Sequence, residues 1–135
     1  MARINFTSNA IDIGIVTINK DAVLNFYENI LGFDNEVQIP FPGLGTVNKL
    51  SYGAGYIKIL VLDKKPSNTN PIGDFSESNG IRYITINLSN LDEIINICNE
   101  SGITIINSGT TIRPGVNVGL IQDPDGNIIE LMQVS

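Results

Sequence analysis

The side chains that most often carry chemistry are scarce in this chain. It has no histidine and a single cysteine. A Ser–His–Asp or Cys–His arrangement therefore has no base to activate its nucleophile, and neither an internal disulfide nor a cysteine zinc cluster can form. Cys98 stands in an apolar helical stretch and reads as a buried structural thiol. Carboxylates, tyrosines and a few cations are what remain. One of these is singled out by pattern alone. In Tyr56-Ile57-Lys58-Ile59-Leu60-Val61-Leu62, strand alternation puts Tyr56, Lys58, Leu60 and Leu62 on one face, and Ile57, Ile59 and Val61 on the other. The wholly apolar set belongs under helices, so Lys58 looks out from the opposite face.

The elements that must position such residues come as a repeat. Ile-Asp-Ile-Gly-Ile-Val-Thr-Ile at 11–18 is followed by a helical stripe of Ala22, Val23, Phe26, Tyr27 and Ile30, then by Gly32-Phe33. At an offset of 71, Ile84 answers Ile13, Ile86 answers Ile15, Asn90 answers Asn19 and Asp92 answers Asp21, and the second helix ends in Gly102-Ile103. The β-branched openings suit strands. Asn19 and Asn90 stand at helix N-cap positions, and Gly32 and Gly102 stand where a left-handed C-cap favours glycine. Three further strands are expected after each helix: about 34–41, 45–52 and 56–62, then about 103–111, 116–122 and 128–134. Breaks at Pro42-Gly43, Gly53-Ala54-Gly55, Pro114-Gly115 and 123–127 separate them. The expectation is an α/β (α+β) domain over 1–135, with module one at about 8–62, a linker at about 63–79 and module two at about 80–134.

Composition bounds the function class. With 42% hydrophobic and 16% charged residues, the chain is ordinary globular protein. A net charge of −6 and scattered Lys and Arg exclude a phosphate-backbone binder and a basic membrane face. No run of about 18 apolar residues spans a membrane. The start, Met1-Ala2-Arg3-Ile4-Asn5-Phe6, lacks the apolar core of a signal peptide, so the reading is cytoplasmic.

Gln122-Asp123-Pro124-Asp125-Gly126-Asn127-Ile128-Ile129-Glu130-Leu131, Phe26-Tyr27 with Leu31-Gly32-Phe33, and the stretch from Gly80 to Asp92 together resemble the vicinal-oxygen-chelate superfamily of glyoxalase I, extradiol dioxygenases and bleomycin-resistance proteins. The resemblance runs over about 8–134. It implies two tandem βαβββ modules whose curved mixed sheets form a concave cleft with helices outside. It also implies, in metal-dependent members, one ligand from each of four strands. Those positions map to Asp12, Lys58, Tyr83 and Glu130. Asp12 and Tyr83 are 71 residues apart and Lys58 and Glu130 are 72 apart, so the repeat pairs them the same way. An ammonium at a ligand position repels a divalent ion, and a phenol is a poor ligand at neutral pH. No metal and no other cofactor is expected.

On this reading Lys58 replaces the ion as a fixed cation, paired with Glu130 and with Asp12, or the four residues act in proton transfer, with Glu130 or Asp12 as base and Lys58 or Tyr83 as acid. Expected ligand-facing residues are Phe41, Leu50, Tyr52, Tyr56, Leu60, Tyr83, Ile128 and Met132. Lys49, Lys58 and Arg113 are candidate anchors for an anionic group. The segment 40–45 is either a loop over the cleft mouth or an ordinary turn. Three functions stay open: a metal-free protein binding a small hydrophobic or aromatic molecule, a metal-independent isomerase or lyase, and a sensing or interaction module. A homodimer is expected, as is common among members of the superfamily.

Overall fold

The β-branched run at 11–18 forms strand β1 (Ile13–Thr17), and its counterpart forms β5 (Tyr83–Asn87). The computed structural model describes residues 2–71 and 73–135. Met1, at the head of the stretch read against a signal peptide, and Ile72, within the expected linker, lie outside the described residues. The described chain divides into two compact units, one up to Ser67 and one from Asn68.

The first unit carries β1, helix α1 (Lys20–Leu24), β2 (Asp34–Phe41), β3 (Gly45–Ser51) and β4 (Tyr56–Leu62), with sheet order β1-β4-β3-β2. The second carries β5, helix α2 (Leu91–Glu100), β6 (Ile105–Arg113), β7 (Val116–Gln122) and β8 (Ile128–Val134), in the order β5-β8-β7-β6. In each sheet the opening strand runs parallel to the last, and the other pairs are antiparallel hairpins. The fold is α+β, two tandem βαβββ modules with one mixed four-stranded sheet each.

The cores follow the alternation. Ile15, Leu50, Ile57 and Ile59 are buried in the first unit together with Val23, Phe26 and Tyr27, and Ile121, Ile129 and Leu131 are buried in the second with Leu91, Ile95 and Cys98. In α2 the buried positions recur at helical spacing. A Cβ on Gly119 would meet Ile95 Cδ1 at 3.1 Å and Leu91 Cδ1 at 3.3 Å, so α2 covers the face of β7 that this glycine leaves flat. In the first unit α1 runs directly into a π-helical turn, Asn25–Ile30, in which the Leu31 N–H reaches back to the Phe26 carbonyl. The wider turn buries the adjacent Phe26 and Tyr27 together, both members of the expected apolar stripe.

The asparagines do not cap. Neither the Asn19 nor the Asn90 side chain accepts a bond from its helix, although both backbone carbonyls do. Asn90 donates to Glu93 instead, and the free Leu91 N–H is taken by the Gln133 side chain of β8 at 2.8 Å. A strand thus satisfies the helix start, a tertiary solution invisible to local pattern. Gly32 and Gly102 do end the helices with positive φ, 89° and 74°. Within the second unit and ahead of β5, Phe75–Glu77 forms one 3₁₀ turn in the region expected to be linker alone, and the Phe75 ring packs edge-on against Tyr83 at 5.8 Å.

Candidate functional site

The open face of the first sheet is built in rows, because side chains paired across strands point the same way. One row is Val37, Lys49, Lys58 and Gly14, and the next along the strands is Ile39, Val47, Leu60 and Val16. The register therefore places Lys49 directly opposite Lys58. Like charges so placed repel, and each finds a separate partner. The Lys58 ammonium lies 3.4 Å from the Asp12 carboxylate, with the two side chains 44% and 38% exposed. Lys49 reaches over the Tyr56 ring, 4.3 Å from its centre, a cation–π contact. Asp12 also accepts the Tyr56 backbone N–H at 3.0 Å, which ties the chain entering β1 to the start of β4. The Tyr56 hydroxyl donates to Glu36 at 3.0 Å. That hydrogen bond, and then the carboxylate's negative charge, hold the Tyr56 phenol above its ordinary pKa.

In the second sheet the corresponding rows are Tyr83 with Ile128, Thr85 with Glu130, and Asn87 with Met132. Glu130 accepts the Thr85 hydroxyl at 2.8 Å. Tyr83 is half exposed and meets the Phe75 ring edge-on. At the far end of the same face, Met132 with Asn87, Leu88, Ser89 and Val134 lines an open depression of about 510 Å³.

Several expected ligand-facing residues sit where the alternation put them. Tyr56, Lys58 and Leu60 share the open face with Lys49, and Phe41, opposite Gly45, is exposed at its edge. Met132 lines the depression. Leu50 must be corrected: it is 0% exposed and pairs with Ile57 on the helix-covered face, one residue out of phase with Lys49. Ile128 is also buried, although its neighbour Glu130 is not. Tyr52 lies beyond the end of β3, its hydroxyl donating to the Ile11 carbonyl at 3.4 Å and its ring edge-on to Phe33. Arg113 ends β6, exposed and opposite Val116. Residues 42–44 are an ordinary turn, closed by the Leu44 N–H on the Phe41 carbonyl, with Gly43 at φ 82°.

Glu36 and Thr85 were not anticipated. Thr85 was recoverable, since it stands two residues after Tyr83 on the same strand face. Glu36 was not, because it occupies the bulge between Asn35 and Val37, which resets the alternation.

Asp12 is the ligand-type side chain on the first open face nearest Lys58, and both of its oxygens are engaged, by the ammonium and by the Tyr56 N–H. Among the described residues no three His, Cys, Asp or Glu side chains gather as a metal site requires. The donor set does not fit the divalent ion of the metal-dependent pattern. No helix among the described residues is long and apolar enough to cross a membrane.

Comparison with solved structures finds the same fold repeatedly. A glyoxalase family protein of Enterococcus faecalis is 26% identical, with a TM-score of 0.70 over 90% of this chain and 93% of that one. The trypanothione-dependent glyoxalase I of Leishmania major is 20% identical, TM-score 0.71, covering 90% and 84%. A glyoxalase family protein of Bacillus cereus is 14% identical but superposes best of these three, TM-score 0.83, covering 99% and 98%. No curated protein matches the chain by sequence. The family model for the Glyoxalase/Bleomycin resistance protein/Dioxygenase superfamily matches residues 10–131, nearly the whole chain and both modules, and the chain belongs to that superfamily.

Proposed function

We propose that this protein binds a small apolar or aromatic molecule on the open faces of its sheets, without a divalent metal. The observation that carries the reading is the Lys58–Asp12 pair. At a position where metal-dependent relatives of the pattern need an electron-pair donor, this chain has a cation, and the adjacent carboxylate already serves it. Exposed Val16, Val37, Ile39 and Phe41 in the first unit, and the depression beside Met132 in the second, supply apolar surface for a ligand body. Tyrosine and lysine heads supply the polar anchors.

The test is a thermal-shift screen of the purified full-length chain against small aromatic and aliphatic compounds, run with and without a chelator, beside elemental analysis of the dialysed protein. The expected result is a rise in melting temperature with members of the library that the chelator does not change. Stoichiometric zinc, nickel or manganese that survives dialysis and restores a turnover would overturn the metal-free reading. A screen without any shift would overturn the binding reading.

A further inference from the structure

The cationic row of module one points to the charge of the ligand. We propose that this face binds a small amphipathic monocarboxylate, with its head group between the Lys49 and Lys58 ammonium groups and its apolar body along Ile39, Val47, Leu60 and Val16. The inference rests on the small-molecule reading above and adds the chemical class of the ligand.

Three features support it. Lys49 and Lys58 are direct cross-strand neighbours, an arrangement that destabilises a sheet unless an anion lies between the two charges. The nearby carboxylates do not fill that role for Lys49. Asp12 serves Lys58 and the Tyr56 N–H, Glu36 accepts the Tyr56 hydroxyl, and the contact found for Lys49 is the Tyr56 ring. Among the described residues no carboxylate lies within ion-pair distance of Lys49. The second feature is the adjoining row. Ile39, Val47, Leu60 and Val16 lie two residues along their strands from the cations on the same face, a separation of about 7 Å. Ile39 and Val16 are exposed there. A head and body joined by one or two carbons span that distance. The third is the net charge of −6. A chain of net negative charge repels polyanions at long range, so two local ammonium groups favour a compact, singly charged head over a polyphosphate.

A matched pair of probes, phenylacetate and its neutral amide phenylacetamide, isolates the charge. Titration calorimetry on the full chain at pH 7 and low salt is expected to show phenylacetate binding about tenfold or more tighter than the amide. The gap should narrow as salt rises. Lys49→Met, which keeps the apolar stem, removes most of the preference by lowering phenylacetate affinity far more than amide affinity. Asp12→Asn releases Lys58 from its competing carboxylate and tightens phenylacetate binding severalfold. If Asp12 only held the strand edge in place, that change would weaken both probes. Circular dichroism spectra confirm that each variant is folded, and the salt series on the unmutated chain tests the same point should one not be. Equal affinity for acid and amide, a preference that persists in Lys49→Met, or weaker acid binding in Asp12→Asn overturns the proposal. Equal binding leaves the small-molecule reading standing, whereas failure of both probes to bind the unmutated chain counts against this face as a site of either kind.

Discussion

The two modules share a register and differ in charge at its centre. In module one the residue of β4 that faces outward opposite Gly14 is Lys58, and in module two the residue of β8 opposite Thr85 is Glu130. The partners differ accordingly. The long ammonium arm reaches back to Asp12, which precedes β1, while the shorter carboxylate takes the hydroxyl directly across from it. On the covered faces the last strand keeps its character: Ile57 and Ile59 in one module correspond to Ile129 and Leu131 in the other, all buried, although beside them buried Asn48 of β3 answers Gly119 of β7. The repeat thus keeps constant what close packing demands and varies what solvent and ligand tolerate.

The hairpins joining the last two strands of each module extend the contrast. Ser51 accepts the Gly53 N–H at 3.0 Å, and Asp123, 72 residues later, accepts the Asp125 N–H at 2.9 Å with the same geometry. Asp123 is buried, however, and also accepts the Asn127 backbone N–H and its side-chain amide. One module closes its hairpin with a light hydroxyl contact, the other with a buried carboxylate network.

This comparison can be broken most forcefully at the covered faces. Ile59→Ala and Leu131→Ala should each cost about 2–5 kcal/mol in urea denaturation, and by similar amounts, because both delete fully buried side chains. A large inequality would mean that one module carries the stability alone. The hairpins come next. Asp123→Ala should cost about 1–3 kcal/mol by leaving buried donors without an acceptor, while Ser51→Ala should stay within about 0.5 kcal/mol. Equal losses would erase the distinction drawn between the two turns.

The smallest effect is at Tyr56. Its phenol is raised by the Glu36 hydrogen bond, so the folded state holds that proton more tightly than the unfolded chain does. The resulting contribution to stability is present below the ordinary tyrosine pKa of about 10 and fades as pH rises through the higher folded value. Absorbance titration at 295 nm should show one tyrosine ionising late, and Glu36→Gln should bring it back toward the others. An unchanged curve would show that Glu36 does not act on the phenol.

Much of this architecture was legible beforehand. The spans 34–41, 56–62, 116–122 and 128–134 match β2, β4, β7 and β8, because alternation and glycine or proline breaks are local signals. Lys58 could be placed on the open face for the same reason. Leu50 was misplaced because nothing in Lys49-Leu50-Ser51 says which of two adjacent residues faces outward, and the answer depends on the pairing with Ile57. Glu36 was missed because a bulge breaks the period that the reading relies on.

The sequence by itself determined the twofold βαβββ plan, the apolar faces and the opposite charges at Lys58 and Glu130, since periodicity and residue type act over a few neighbouring positions. Only the tertiary structure decided the partners. Whether Lys58 meets Asp12, whether Lys49 lies beside Lys58 and over Tyr56, and whether Gln133 caps α2 all depend on strand register. Register brings together residues from 7 to 46 positions apart, through hydrogen-bonded pairing that no local stretch of chain specifies.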